Sequence, residues 1–489
     1  MTDGSRPDDV LGELDRAVDQ FETIFGGIEI EGDDLAGTNR LSVYVALQTE
    51  QAFASPRLAE RAWQTLVGHA VYLRYRLGGS RPEPPPPVPE DPRLLFLFEG
   101  ANPSTRETLR HVLEQFDSAE ARAATPYPET LSGKTGHSWI DIRDFLPRTE
   151  GASLRGAGKA IWRAQRRARR QGAHRVFQRH SFRAWLMRAA IRTAAASLGL
   201  HRLFDAHPAT MLVTASDTSF WGRCATLEAN RRGIPSLTLQ HGMMVGDMGY
   251  TPVVSTKFAA WGDASARWLQ ARGVPAEKIE VTGAPRLDAI VNRKPIPRET
   301  IATQLRINPA ARWIVLATNP ITFARNAAMV GVARDGLRSW GEQAVLIVKL
   351  HPSEDAAPYR ALIAWSDNAA VVRHGEVDLY DLLAAADAVL TFHSSVGLEA
   401  MMLERPVVSL EAFGEENPLP YAREGAAVSA RSAAELVAAL RRELDPGEIG
   451  TERRELRARF ISDNLFAADG KSGERVRELI KTLAAGGAR

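Results

Sequence analysis

Between residues 94 and 410, hydrophobic positions form short apolar runs that alternate with longer amphipathic stretches. A parallel strand buried on both faces gives a continuous apolar run, so the alternation predicts strands joined by helices. The runs predicted as strands are 94–98, 139–142, 211–215, 234–239, 257–261, 279–282, 313–317, 344–350, 369–373, 388–391 and 407–410. This pattern favours an α/β protein with two Rossmann-like domains that face a cleft.

The termini and one proline-rich stretch divide the chain further. Helical spacing of apolar residues predicts helices at 10–25 and 57–77, and four consecutive prolines, 84–87, are typical of a stiff linker. We predict a helical N-terminal extension at 1–80 and a Pro-rich linker at 81–92. A Rossmann-like acceptor domain follows at 93–295, with a basic helical segment at 151–201, and a Rossmann-like nucleotide-donor domain at 296–450. The C-terminal helices, 451–489, are predicted to pack back across the domains.

Composition narrows the class of protein without naming a function. The 489 residues are 44% hydrophobic and 25% charged, which is typical of an ordinary globular protein. The formal net charge of +2 gives no indication of a nucleic-acid partner. Cys224 is the one cysteine, which excludes an internal disulfide framework and suits a reducing cytoplasm. No apolar run approaches the ~20 residues of a membrane span, so we expect any membrane contact to be peripheral.

The segment 151–201 contains no acidic residue, while arginines recur from Arg163 to Arg188 with aromatic residues between them. Such one-sided charge favours a surface for anionic lipid headgroups or an anionic polysaccharide. The alternative is a solvated helix that happens to be basic.

Residues 386–410 form a strand–loop–helix–strand unit on which the functional prediction is centred. Ser394 and Ser395 follow the strand at 388–391 and begin a helix. Hydroxyls and free backbone N–H groups at a helix start attract anions, and the carboxyl end of a parallel sheet is where a nucleotide phosphate binds. The alternative is ordinary helix capping by serine.

Five motifs occur in order between residues 211 and 410. They are Gln240-His241-Gly242, Gly283-Ala284-Pro285-Arg286-Leu287-Asp288, Lys349-Leu350-His351-Pro352, Asp381-Leu382-Leu383 with Asp387, and Ser394-Ser395 with Glu399. In this order they resemble the GT-B transferases that build bacterial capsules and teichoic acids. Within that group they resemble the CDP-glycerol glycerophosphotransferases and the capsule enzymes that use CMP-activated Kdo or sialic acid.

The resemblance implies that His241 is the general base. An imidazole with a pKa near 6.5 can take a proton from an acceptor hydroxyl at neutral pH. Gly242 would permit close approach of a ligand, and Gln240 adds a polar group at the strand end. The alternative is a histidine that is hydrogen-bonded within a turn.

On the donor side, the resemblance places His351-Pro352 and the pair Ser394-Ser395 on the donor phosphate. Lys349 and His393 flank these motifs and are expected to contribute to nucleotide binding.

Two charged residues of the motifs have two interpretations each. Glu399 could bind a ribose hydroxyl or interact with the helix dipole. Arg286 could reach the phosphate or pair with Asp288, and we expect both of these to be mainly structural supports of the cleft.

These assignments predict an inverting, metal-independent transferase without a cofactor. It would move a sugar from a CMP- or CDP-linked donor, with UDP possible, to a hydroxyl of a surface polysaccharide or lipid-linked glycan. Phe392-His393 stands where the glycerophosphotransferases usually carry Asp-Tyr, which favours a sugar donor. The alternatives are a nucleotide-sugar 2-epimerase and a non-catalytic module that binds a glycan or lipid.

Overall fold

A computed structural model describes residues 7–48, 93–100, 103–130, 136–147, 153–247, 249–319, 322–364, 369–444 and 448–486. The predicted helix at 57–77 and the Pro-rich linker at 81–92 lie outside the described residues.

The first domain is built on a parallel sheet of seven strands. A small hairpin of β1 (Glu29–Ile30) and β2 (Asp33–Asp34) precedes it. The seven strands are β3 (Leu94–Leu97), β4 (Ala121–Thr125), β5 (Trp139–Asp141), β6 (Met211–Thr214), β7 (Ser236–Leu239), β8 (Lys257–Ala260) and β9 (Ile279–Val281). Their order is β5-β4-β3-β6-β7-β8-β9, so the direction of the strand order reverses between β3 and β6. We call the space at the carboxyl ends of these two strands the first crevice.

Helices cover both faces of this sheet. They are α1 (Pro7–Phe25), α2 (Leu35–Gln48), α3 (Pro103–Leu113), α4 (Ser153–Arg170), α5 (His180–Ala206), α6 (Phe220–Arg231) and α7 (Asp263–Gln270). Helices α1 and α2 pack on α4 and α5 through an aromatic cluster of Phe21, Phe25, Phe177 and Phe182. Several apolar residues of the basic segment therefore belong to a core rather than to a surface.

The second domain repeats the plan with six parallel strands. They are β10 (Arg312–Ala317), β11 (Ala344–Lys349), β12 (Ala369–Val372), β13 (Ala388–Thr391), β14 (Val407–Leu410) and β15 (Val428–Ala430). The order is β12-β11-β10-β13-β14-β15, which reverses between β10 and β13. The space at the carboxyl ends of β10 and β13 is the second crevice.

The helices that follow the first sheet are α8 (Asp288–Val291), α9 (Arg298–Leu305), α10 (Phe323–Trp340), α11 (Ala356–Ile363), α12 (Leu379–Ala385), α13 (Val396–Met402), α14 (Ala433–Leu444), α15 (Glu448–Asn464) and α16 (Ser472–Gly486). Helix α15 packs on the second domain through Phe460, whereas α16 returns to the first domain, where Val476 and Ile480 join the core of β3 and α3.

One apolar cluster joins the two domains beneath the cleft. Trp261 and Leu287 from the first domain pack in it with Leu398 and Tyr421 from the second, and all four are 3% exposed or less. The buried contact brings the ends of β7 and β13 towards each other and so positions the candidate site.

The α/β fold with two Rossmann-like domains is confirmed, but one local prediction was wrong. The second strand of the first sheet is Ala121–Thr125, and Trp139–Asp141 is the third, at the sheet edge. The run 121–125 is mostly alanine, with Thr125 as its one β-branched residue, so the pattern did not reveal it.

Candidate active site

His241 lies just after β7 and is held in a defined tautomer. Its Nδ1 is 2.8 Å from the carbonyl oxygen of Ala215, and a carbonyl can only accept, so Nδ1 carries the proton. The lone pair of the other nitrogen, Nε2, therefore remains able to accept a proton. The ring stacks on Tyr250 at a centroid distance of 5.0 Å, and burial lowers the pKa of His241 to about 4.

Gln240 and Gly242 fix the turn that carries His241. The buried Gln240 amide accepts from Trp261 N at 2.7 Å and donates to Gly242 O at 2.8 Å. Tyr250 donates to the same carbonyl oxygen, at 2.9 Å. A Cβ at residue 242 would lie 3.3 Å from the Tyr250 hydroxyl, so the close approach favours glycine. Both neighbours of the histidine are positioning residues.

His351 lies just after β11 and is held in the opposite tautomer. The backbone N–H of Ser353 donates to its Nδ1 at 3.3 Å, and the Ser353 hydroxyl is 2.7 Å from the same atom. Because a backbone N–H can only donate, Nδ1 is the acceptor and Nε2 carries the proton. Burial lowers the pKa of His351, so the ring is a neutral hydrogen-bond donor at neutral pH. Pro352 is exposed beside it.

Glu354 holds the His351 loop, a role that the sequence did not reveal. Its carboxyl group accepts from His351 N at 3.2 Å, from Asn326 Nδ2 at 2.7 Å, and from the hydroxyls of Thr318 and Tyr359. Thr318 follows β10, so the carboxyl group ties the ends of β10 and β11 together. The available sequence signal was an acidic residue two positions after Pro352.

Lys349 places a buried ammonium group at the end of β11. The residue is 7% exposed, and its Nζ donates to the carbonyl of Leu350 at 3.1 Å. Burial lowers the pKa of Lys349, and the more distant charges of Glu376 and Asp378 oppose the change. A bound anion would stabilise such a desolvated cation.

The loop 393–395 enters the second crevice in a strained conformation. His393 has φ +49°, in the left-handed region, and its backbone N–H donates to Asn417 Oδ1 at 3.1 Å. Its side chain is exposed, while Ser394 and Ser395 are half-buried. The buried Asn417 therefore positions the loop, although no sequence pattern had marked it.

The prediction of free N–H groups at the start of α13 was wrong. Val396 N donates to Ser394 Oγ at 3.3 Å, Gly397 N to Ser394 O at 3.3 Å, and Leu398 N to the Tyr421 hydroxyl at 3.2 Å. Tyr421 covers the helix start so closely that a Cβ at Gly397 would lie 2.8 Å from its ring. Side chains of this loop, rather than the first turn of the helix, are left to contact an anion.

Arg286 and Glu399 form a buried ion pair between the two domains. Arg286 Nη2 lies 2.8 Å from Glu399 Oε1 and donates to Ser395 Oγ at 3.1 Å. Burial alone would lower the pKa of Arg286, but the charge of Glu399 raises it. The expected pairing with Asp288 is wrong, since Asp288 accepts from the N–H groups of Ser472 and Gly473 at the start of α16.

The loops of His241 and Ser394 meet at Tyr421. The Tyr421 hydroxyl donates to Ser394 O at 2.8 Å and lies 3.1 Å from the Sδ of Met243, two residues after His241. The structure therefore brings the His-Gly and Ser-Ser motifs to the same part of the cleft.

The acidic residues of the fourth motif lie elsewhere. Arg293 binds the Asp381 carboxylate through two nitrogens, at 2.8 and 2.6 Å, and Asp387 binds Arg298 at 2.9 Å. These pairs fasten the segment between the domains to the second domain, away from the cleft.

Part of the basic segment forms an exposed surface on α4. Arg163, Arg166 and Arg170 are exposed there, and the Arg166 guanidinium lies 4.7 Å from the ring centre of Trp162, which is 46% exposed. None of the helices in the described part of the chain is long and apolar enough to span a membrane. Within the same residues, no group of three or more His, Cys, Asp or Glu could hold a metal ion.

Residues 259–482 match the model of the CDP-glycerol:poly(glycerophosphate) glycerophosphotransferase family. The match covers a little under half of the chain and includes Arg286, His351 and Glu399, but not His241. No curated protein sequence matches the chain significantly.

Solved structures share the fold at low sequence identity. The wall teichoic acid polymerase TagF, in a structure with CDPG, has a TM-score of 0.50 at 14% identity over 89% of this chain and 100% of that chain. The S. aureus MnaA–UDP structure has a TM-score of 0.51 at 15% identity over 80% of this chain and 96% of that chain. UDP-GlcNAc 2-epimerase from Neisseria meningitidis, bound to UDP-GlcNAc, has a TM-score of 0.52 at 14% identity over 80% and 99%. The chain thus has the GT-B fold, and its expected resemblance to the teichoic-acid-type GT-B transferases is confirmed.

Proposed function

We propose that the protein is an inverting, metal-independent GT-B transferase that uses a nucleotide-linked donor, with a CMP- or CDP-linked sugar favoured and a UDP-linked one possible. The acceptor is a hydroxyl of a bacterial surface polysaccharide or lipid-linked glycan. One observation carries the proposal: two histidines on facing domains are held in opposite tautomers, one with a free lone pair and one with a free N–H.

His241 acts on the acceptor. Its Nε2 takes the hydroxyl proton while the oxygen attacks the anomeric carbon on the face opposite the leaving phosphate, so the configuration inverts. Its low pKa makes His241 a weak base. A bound anionic donor raises that pKa, because a nearby negative charge favours the imidazolium.

His351 and its neighbours act on the donor. The bond between the anomeric carbon and the phosphate oxygen breaks, and its electron pair leaves with the nucleotide. The His351 N–H, the Lys349 ammonium and the Ser394 hydroxyl are the groups that stabilise the added negative charge. Three protein groups then do the work that a divalent ion does in metal-dependent transferases.

Transfer of glycerol phosphate is the second candidate, and the family match favours it. In that reaction the hydroxyl attacks the phosphorus that bears glycerol, and CMP leaves. Phe392-His393 in place of Asp-Tyr favours the sugar donor instead. The same base and the same phosphate-binding groups serve either chemistry, so the products decide between them.

The exposed arginines of α4 support a cytoplasmic enzyme that binds the inner face of an anionic membrane. An exposed tryptophan among arginines is suited to a membrane interface, where its ring lies at the headgroup level. This placement would bring the cleft close to a lipid-linked acceptor.

A donor panel tests the proposal. Thermal shifts with CMP, CDP, UDP and GDP identify the nucleotide, because a ligand that binds the folded state raises its melting temperature. Nucleotide release is then measured with the matching sugar donors and with CDP-glycerol, with and without acceptor and EDTA. We expect acceptor-dependent release that survives EDTA. Epimerisation of a UDP-sugar without acceptor, or glycan binding without any release, would overturn the proposal.

A further inference from the structure

The first crevice contains a carboxyl group that the proposed mechanism leaves unused. Glu99 follows β3, and its Oε2 accepts from the Thr214 hydroxyl at the end of β6, at 3.0 Å. It therefore bridges the two strands between which the sheet order reverses. Ligands of open α/β sheets bind at such reversal points, outside the carboxyl ends of the strands.

The hydrogen bonding of Glu99 is incomplete. The residue is 5% exposed, its Oε2 accepts from Thr214, and the backbone N–H groups of Glu99 and Ala215 also interact with the carboxyl group. Its other oxygen, Oε1, is buried without a hydrogen-bond partner among the described residues. Buried polar atoms are nearly always hydrogen-bonded, so a partnerless oxygen at a ligand-binding edge points to a missing ligand group.

Asp217 repeats this pattern on the neighbouring loop, which follows β6. It is 1% exposed, and its Oδ2 accepts from Val254 N at 2.7 Å and from Ser255 N at 2.9 Å. Its Oδ1 is likewise buried with no partner in the described part of the chain. Two acidic side chains beside β6 thus each keep one oxygen unused.

The charge of Asp217 acts on Glu99, and Glu99 in turn lies next to the base. The peptide unit of Ala215 joins them: its N–H donates to Glu99, and its carbonyl accepts from His241. A hydroxyl held by Glu99 would therefore lie beside the imidazole that is to remove a proton from the acceptor.

We propose that Glu99 and Asp217 form an acceptor subsite that binds an uncharged polyhydroxyl group, such as the vicinal diol of a sugar or polyol, beside His241. This inference rests on the proposed function. A diol offers two O–H donors and two acceptor oxygens, which match the two partnerless oxygens.

The charge of the subsite argues against an anionic acceptor group. Burial, with a smaller contribution from the charge of Asp217, raises the pKa of Glu99 to about 8, so the carboxyl keeps its proton at neutral pH. A neutral carboxyl both donates and accepts hydrogen bonds, as a hydroxyl ligand requires. The charged group that acts on Glu99 is Asp217, which would repel a phosphate. The buried cations whose charges act on Asp217 and on His241 are already engaged, Arg223 with Pro252 O and Arg286 with Glu399.

The test uses the full-length protein, the donor identified by nucleotide release, and two minimal acceptors, glycerol and a methyl glycoside. Glu99→Gln keeps a neutral group with a donor and an acceptor, whereas Glu99→Met keeps the volume but removes both. We expect Glu99→Gln to stay within about threefold of the wild-type acceptor KM and Glu99→Met to raise it about tenfold or more, with the donor KM unchanged in both.

Two further variants keep the result decisive. Glu228→Gln changes another buried carboxyl of the first domain, which pairs with Arg231 and Arg232, and should leave the acceptor KM unchanged. Asp217→Asn should raise the acceptor KM about fivefold. If Glu99→Met does not fold, the acceptor KM of Asp217→Asn tests the subsite in its place.

The outcomes separate the inference from the function on which it rests. A folded Glu99→Met with a wild-type acceptor KM, or a Glu99→Gln as poor as Glu99→Met, overturns the subsite alone. An unchanged acceptor KM in Asp217→Asn does the same. Absence of acceptor-dependent nucleotide release in the wild type overturns the proposed function and the subsite together.

Discussion

The two crevices are built on the same plan but carry opposite chemistry. Each lies where the strand order of a parallel sheet reverses. The first contains two buried carboxyl groups, Glu99 and Asp217, and the free lone pair of His241. The second domain carries donors at its strand ends instead: the Lys349 ammonium and the His351 N–H at the end of β11, and two serine hydroxyls after β13. The difference teaches that fold similarity between the domains sets where ligands bind, while side chains set which ligand binds.

Among the predicted effects, loss of the base in the first crevice should have the largest effect on activity. His241→Ala removes the proton acceptor of the first crevice and leaves the donor-binding groups intact. We expect kcat for acceptor-dependent nucleotide release to fall about 100- to 10,000-fold, with little change in the donor KM. His111→Ala, a substitution on α3, is the control and should retain full activity. A His241→Ala protein with wild-type turnover would show that His241 is not the general base.

Separating the ion pair between the domains should cost the most stability. Glu399→Gln leaves Arg286 buried without its counter-charge, which typically costs about 3–5 kcal/mol of unfolding free energy. Urea unfolding measures the change. Glu416→Gln alters an exposed pair with Arg431 and should cost about 1 kcal/mol or less. Equal losses of unfolding free energy in the two variants would contradict the claim that the buried pair matters more for stability than the exposed one.

Removal of the N–H donor from the second crevice should have a smaller effect on catalysis. His351→Ala should lower kcat about 100-fold, the usual effect of losing one preorganised donor, and should also weaken nucleotide binding. Steady-state kinetics and thermal shift with the nucleotide give the two values. The two variants should therefore differ: His351→Ala should change both kcat and nucleotide binding, whereas His241→Ala should change kcat alone. Weakened nucleotide binding in His241→Ala, with unchanged nucleotide binding in His351→Ala, would mean that the first crevice binds the donor and the second the acceptor.

The smallest expected effect is a change in how stability depends on pH. The pKa of His241 falls from an unfolded value near 6.5 to about 4, so between these values the unfolded chain binds more protons. Its contribution to stability is fully present above pH 6.5 and is lost as the pH falls towards 4. Urea unfolding at pH 7 and pH 5 should therefore show a smaller loss for His241→Gln than for the wild type. An equal loss would contradict the buried, neutral imidazole.

Much of the fold was accessible from the sequence because buried parallel strands have a strong apolar pattern. The strands that were missed or misplaced have weak patterns, such as the alanine-rich 121–125 and the short 428–430. No local pattern shows that α16 crosses back to the first domain, since Val476 and Ile480 look alike whichever core they join.

Residues of the candidate site could be predicted from the sequence only where they belong to a recognisable motif. His241, His351 and Ser394 stand at strand ends, which the sequence indicates. Tyr421 and Asn417, which hold the loop 393–395, come from a segment without regular pattern. Glu399 was placed by its helix position, but its partner Arg286 lies more than a hundred residues away. Such long-range pairs are set by tertiary packing and leave no local signature.

The central claim is that two histidines in opposite tautomers act on one bound pair of substrates. Nitrogen-15 NMR of selectively labelled histidine, with and without CDP, measures this directly. We expect the proton on Nδ1 in His241 and on Nε2 in His351, and we expect CDP to shift the resonances of both rings. The same tautomer in both residues, or a nucleotide that shifts neither ring, would contradict the account.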